Sequence, residues 1–204
     1  MDDFSGKINF LINWGEVMNK TKRAIFQSAI KIFSVNGYDG ATMDEISASA
    51  GVAKGTVYYY FKSKDEVFKY IITEGVNLLT EQIEIIVGGN GDYTFKLREL
   101  TKAQLKLVYE NKDLFKVVIS QAWGGKIRHS ELRELLNGYM KDIEEFLVMA
   151  MDDGAIKRCE SSLLTYMYFG TLVSVAAYNV IKNDRMKLDE VTDSFMQHLL
   201  NGIK

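Results

Sequence analysis

The chain has 204 residues, 47% hydrophobic and 25% charged, with a formal net charge of −2. This is ordinary globular composition, enough for one large domain or a small one plus a larger one, and a charge so modest argues against a sequence-blind coat for nucleic acid. Proline is absent and Cys159 is the only cysteine, which favours an all-helical chain without an internal disulfide, suited to a reducing cytoplasm.

Residues 1–17, MDDFSGKINFLINWGEV, lack the basic start and small-residue cleavage site of a signal peptide. Two readings stand for residues 1–18. One is an upstream extension translated from a mis-assigned start, since codons for Trp14-Gly15-Glu16-Val17 are G-rich like a ribosome-binding site ahead of Met18. The other is a short extra helix with Phe4, Ile8, Leu11 and Ile12 on its apolar face.

A first helix is predicted from about Asn19 to Asn36, with Ile25, Phe26, Ala29, Ile32 and Phe33 as its apolar stripe and Gly37 and Gly40 stopping it. The segment 42–64, TMDEISASAGVAKGTVYYYFKSK, then has the layout of a helix-turn-helix. Thr42 caps a helix whose first turn holds Asp44 and Glu45, and Met43, Ile46 and Ala50 share one face. Gly51 turns the chain and Val52 plugs the inside of the turn. Lys54 to Tyr60 form a second helix pinned by Val57 and Phe61, which leaves Lys54, Gly55, Thr56, Tyr58 and Tyr59 outward. That set is rich in donors and free of acids, as a surface for phosphates and base edges must be. Glycine within a helix costs roughly 1 kcal/mol against alanine, so Gly55 predicts a close approach to the backbone there.

This segment resembles the DNA-binding domain of the TetR/AcrR family of bacterial transcriptional regulators. The matching residues are Thr42, Ile46, Ala50-Gly51-Val52, Lys54-Gly55-Thr56, Tyr58, Tyr60-Phe61 and Lys64, after a first helix ending in Phe33 and Asn36-Gly37-Tyr38. Ser47 departs from the pattern, standing where the family usually has alanine. The resemblance covers residues 20–70 or so and implies an all-α chain in two parts. A three-helix DNA-binding domain at 19–65 would precede a larger helical effector-binding and dimerisation domain at 66–204. Residues 19–70 carry eight Lys/Arg against five Asp/Glu, net +3, so the rest of the chain is −5. A basic head on an acidic body keeps the body off double-stranded DNA. Lys54 is expected to read a guanine edge, with Thr42, Tyr58, Tyr60 and Lys64 on phosphates.

Ser63 should cap a long helix at Lys64–Val87, joined to the head without a linker, with Gly75 placed to let it bend. Residues 88–92, GGNGD, form a loop. Helices follow at about Tyr93–Glu110, Asn111–Trp123 and Ser130–Asp152, the last with Leu135, Leu136, Tyr139, Ile143, Phe146, Leu147 and Ala150 on one face. Leu163–Ile181 holds no charged side chain over 19 positions, yet its tyrosines, threonines, Ser174 and Asn179 make it too polar for a membrane span. A helix buried on nearly all sides is the better reading. A last helix is predicted at about Lys187–Gly202. A body this small cannot wrap the 163–181 helix alone, and the resemblance implies the remedy, a homodimer. Gly170, Ser174 and Ala177, with Phe195 and Leu199, are its expected contact residues.

No nucleophile–base pair or metal cluster is present, and the two histidines, His129 and His198, lie in separate segments. No catalysis, cofactor or metal is therefore expected. The resemblance implies an effector cavity in the body, and Tyr109, Phe115, Trp123, Tyr139, Phe146, Tyr166 and Phe169 are its candidate lining. Few charges interrupt the apolar faces, which predicts a small, largely apolar or aromatic effector. The expectation is a cytoplasmic repressor released from a near-palindromic operator by that effector. The alternative is a DNA-anchored module regulated by a protein partner.

Overall fold

The computed structural model describes residues 19–122, 130–182 and 187–201. The 1–18 extension, Trp123 and His129 lie outside them. The described residues form nine helices and no strand: α1 (Lys20–Gly40), α2 (Met43–Ala50), α3 (Lys54–Tyr60), α4 (Lys64–Val87), α5 (Tyr93–Glu110), α6 (Lys112–Ala122), α7 (Ser130–Asp152), α8 (Ser161–Lys182) and α9 (Leu188–Asn201). They group into two compact units, one of residues 19–74 and 113–122, the other of 75–112, 130–182 and 187–201.

The first unit is built on the predicted stripe. Ile25, Phe26, Ala29 and Phe33 of α1 are buried, together with Met43 and Ile46 of α2, Val57 of α3, Phe61, and Val67, Phe68, Ile71 and Ile72 of α4. Edge-to-face rings tie the helices, Phe33 to Phe68 at 5.2 Å and Phe26 to Tyr70 at 5.7 Å. Helix α1 runs three residues past the expected Asn36–Gly37 stop, but it is broken at Gly37, where φ is 67°. Ser47 is buried and donates to the Asp44 carbonyl at 2.8 Å. Its hydroxyl is thus satisfied within its own helix, which is why serine fits where alanine was expected.

The start of α2 is a capping box. Thr42 Oγ1 accepts from the Glu45 N–H at 3.2 Å, while the Glu45 carboxylate accepts from the Thr42 N–H and from its hydroxyl, both at 2.8 Å. At the other end Gly51 is left-handed (φ 65°) and, with Val52, returns N–H groups to the last turn. Thr42→Ala should lower folding stability by about 1 kcal/mol, a fall of roughly 2–4 °C in Tm. A circular-dichroism melt reads this directly, and an unmoved midpoint would mean the cap does not hold α2.

In the second unit, α5 buries Leu97, Leu100, Ala103, Leu105 and Leu107 against Tyr139, Ile143, Phe146 and Leu147 of α7, Tyr168, Leu172 and Val173 of α8, and Val191, Phe195 and Met196 of α9. Four buried polar side chains cross this core as one chain of hydrogen bonds. Gln104 donates to Tyr139 at 2.9 Å and accepts from Tyr168 at 3.1 Å, and Tyr168 lies 3.2 Å from the Thr101 hydroxyl. Arg98 and Lys102 of α5 clasp Asp189 and Asp193 of α9 at 2.6–3.3 Å. The Lys102 hydrogen bond holds the Asp189 carboxyl below the ordinary range.

Helix α8 is not buried all round in this chain. Tyr168, Leu172, Val173 and Ala176 face inward, but Leu163, Tyr166, Met167 and Tyr178 are 48–63% exposed. Phe195 corrects the expected dimer contact: it is buried in its own core, with its ring 5.7 Å from Tyr168 at right angles.

Candidate nucleic-acid interface and effector cavity

In the first unit, Val57 and Phe61 anchor α3 in the core and fix which side faces out. Lys54, Gly55, Tyr58 and Tyr59 are exposed, while Thr56 and Tyr60 are half-buried. Tyr59 is the most prominent ring, 75% exposed and 5.1 Å from the Tyr60 ring. The Tyr60 hydroxyl accepts from Asn19 Nδ2 at 2.8 Å, which ties α3 to the cap of α1. Nothing lies within 4 Å of a Cβ built on Gly55. Its lack of a side chain therefore answers to no neighbour in the chain itself.

The Lys54 ammonium pairs with Asp44 of α2 at 2.6 Å, and this hydrogen bond raises the lysine pKa. This partnership is not legible in the sequence. Asp44 was visible only as a helix-start acid, and the pairing needs the geometry of the turn between α2 and α3. Two expected phosphate ligands are more committed than their exposed-lysine and exposed-threonine patterns implied. Lys64 Nζ donates to the carbonyls of Ala41 at 2.9 Å and Asp39 at 3.3 Å and sits 4.5 Å from the Tyr38 ring centre. Its ammonium has one donor left for another group. The Thr42 hydroxyl proton is already given to Glu45.

The second unit contains a cavity of about 490 Å³, within the range of small-molecule sites. Leu97, Leu147, Leu164, Leu199 and Leu200 give it apolar walls, the segment from Gly154 to Cys159 closes one side, and Tyr168 also faces it. Tyr168 is fully buried, and its one hydroxyl proton is already given to Gln104. Lys157, Asn201 and the exposed Cys159 thiol are the polar lining.

None of the described aromatic residues expected at the effector site lines this cavity. Tyr139 and Phe146 are fully buried core, Tyr109, Phe115 and Phe169 are half-buried elsewhere, and Tyr166 is 63% exposed. Leu199, expected at a dimer contact, is half-buried and lines the cavity. Gly170, Ser174 and Ala177 do lie on the less buried side of α8, and a Cβ on Gly170 would meet nothing within 4 Å. Among the described residues there is no cluster of metal-binding side chains and no helix long and apolar enough to cross a membrane.

Residues 25–71 match the family model of bacterial regulatory proteins, tetR family, and residues 72–202 match that of the C-terminal region of YsiA-like proteins. The chain belongs to the TetR family. It is accordingly a transcriptional regulator and not an enzyme. The fatty acid metabolism regulator protein of Bacillus subtilis is 25% identical over 186 residues, 88% of this chain and 93% of that protein. A Clostridium perfringens protein described as a candidate fatty acid metabolism regulator is 39% identical, with a TM-score of 0.81 over 89% of this chain and 98% of that one. The Bacillus subtilis regulator FadR, solved in complex with stearoyl-CoA, aligns at a TM-score of 0.75 and 25% identity, covering 90% of this chain and all of that one.

Proposed function

We propose that this TetR-family regulator is a homodimeric repressor, released from a near-palindromic operator when a long-chain fatty acyl thioester binds its second unit. The observation that carries the effector class is the leucine-walled cavity, whose few polar groups, Lys157, Asn201 and the Cys159 thiol, suit an aliphatic chain with a polar head. The stearoyl-CoA bound to the Bacillus subtilis relative supports the same class. The exposed apolar face of α8 supports the dimer, because a row of large apolar side chains of this kind marks an interaction surface. Two recognition helices, each α3 of one protomer, would then enter successive major grooves roughly 34–36 Å apart. Lys54 reads a base edge, and Tyr58, Tyr59 and the remaining Lys64 donor take phosphates. The alternative of a protein partner in place of a small molecule has less support, since the second unit holds a cavity of ligand size.

The test is an anisotropy titration of operator-bound protein with stearoyl-CoA, with shorter acyl-CoAs and with CoA alone. Stearoyl-CoA should lower operator affinity by roughly 5–150-fold, and operator should lower stearoyl-CoA affinity by the same factor. CoA alone should do neither. Leu164→Glu, which sets a carboxylate against the acyl chain, should keep operator binding and lose the response. If no acyl-CoA of any chain length moved the operator curve, the effector class would be wrong.

A further inference from the structure

With α3 in a major groove, the Asp44 carboxylate, paired with Lys54, is carried to the DNA together with it. The carboxylate and the Lys54 ammonium are 2.6 Å apart, with side chains 65% and 58% exposed. So exposed a pair does little for stability. The cap of α2 does not need Asp44 either, because Thr42 and Glu45 supply both halves of the capping box. Against phosphates alone, the carboxylate is a repulsive charge. A lone lysine can donate to the guanine acceptors but has no atom that accepts from a base donor.

The pair has a complement in the major groove. A guanine–cytosine pair presents N7 and O6 acceptors on guanine beside the N4 donor of cytosine. O6 and N4 are hydrogen-bonded to each other, so they lie about 2.9 Å apart, close to the spacing of Lys54 Nζ and Asp44 Oδ1. We infer that Asp44 and Lys54 together read one guanine–cytosine pair in each half-site, the ammonium donating to guanine and the carboxylate accepting from cytosine N4. Asp44 is the specificity-determining member. With the pair reversed, its carboxylate would face the guanine O6 acceptor. A thymine–adenine pair offers O4 and N6 in the same order, but it puts the adenine N7 acceptor on the carboxylate's side and the thymine methyl on the ammonium's side. This inference rests on α3 entering the major groove.

The experiment is selection from a random-sequence duplex library with full-length wild type, Asp44→Ala, Lys54→Ala and the double variant, followed by titration of the enriched and a random duplex. Wild type should enrich a half-site with one fixed guanine–cytosine position. Asp44→Ala should lose at least about tenfold of the preference at that position, consistent with the 1–3 kcal/mol of a good base contact. It should also bind random duplex more tightly, with unchanged thermal melting. Lys54→Ala should lose the same position, and the double variant should lose little more than either single one, as for two groups reading one feature. The same fixed position and the same specific-to-random ratio in Asp44→Ala would overturn the role of Asp44 while leaving DNA recognition standing. Failure of wild type to enrich any sequence would overturn both.

Discussion

A Gly170→Leu variant should keep its helical content, run as a monomer in light scattering, and lose operator affinity by roughly 10²–10⁴-fold. Gly170 carries a cost without a visible return. Glycine in mid-helix costs about 1 kcal/mol against alanine, and in α8 no atom stands within 4 Å of where a Cβ would be. The chain has room for a side chain and does not use it. The surrounding face carries Leu163, Tyr166, Met167 and Tyr178, all largely exposed, so the missing side chain is best explained by a second α8 crossing there. Leucine would hold the two helices apart. Each freed protomer would then bind one half-site without the effective concentration that joins the second to it. The variant's melting midpoint should also stop rising with protein concentration, as it does for a dimer. Met167→Glu, which charges the same face without touching the glycine, should act in the same direction. A Gly170→Leu protein that stayed dimeric and held its operator would remove α8 from the interface.

Gly55→Ala should make the free protein more stable and its DNA complex weaker. The stability gain is up to about 1 kcal/mol, since Gly55 is exposed within α3 with open space around it. If the backbone at Gly55 lies against the DNA, one methyl overpacks that contact by on the order of 1–3 kcal/mol in each half-site. The two effects have opposite signs, which separates a role in folding from a role in recognition. Thermal melting and operator titration of the same preparation give both numbers. Unchanged or tighter operator binding would show that DNA keeps its distance from Gly55.

The head was legible in the sequence because its signals are local. The Thr42 cap, the turn at Gly51 and the anchors Val57 and Phe61 each act within a few residues, and each stands where the spacing placed it. Helix α8 was harder for a physical reason. Periodicity locates an inward face by contrast with a polar one, and Leu163–Ile181 has no charged residue to mark the outside. Tyr166 and Tyr168 are two positions apart and so point to different sides of the helix. Tyr166 is expected at the cavity, but Tyr168 lines it and Tyr166 is the exposed ring. Phe195 shows the same limit, since a stripe tells that a face is covered but not by what. The segment from Gly154 to Cys159, which closes the cavity, has no repeating pattern at all, and only the fold brings it there.

The chain of hydrogen bonds from Tyr139 through Gln104 and Tyr168 to Thr101 also sets how this protein can drift over generations. Removing one hydroxyl strands a buried polar partner at a cost of about 1–3 kcal/mol, while replacing the set by apolar groups of similar shape is nearly neutral. The four positions lie on three helices, separated by up to 67 residues in sequence, yet they form a single heritable character. A lineage that loses one of these hydroxyls is under pressure to lose the rest. Tyr168, which lines the cavity, is one of the four, so the shape of the cavity cannot change there without a matching change deep in the core.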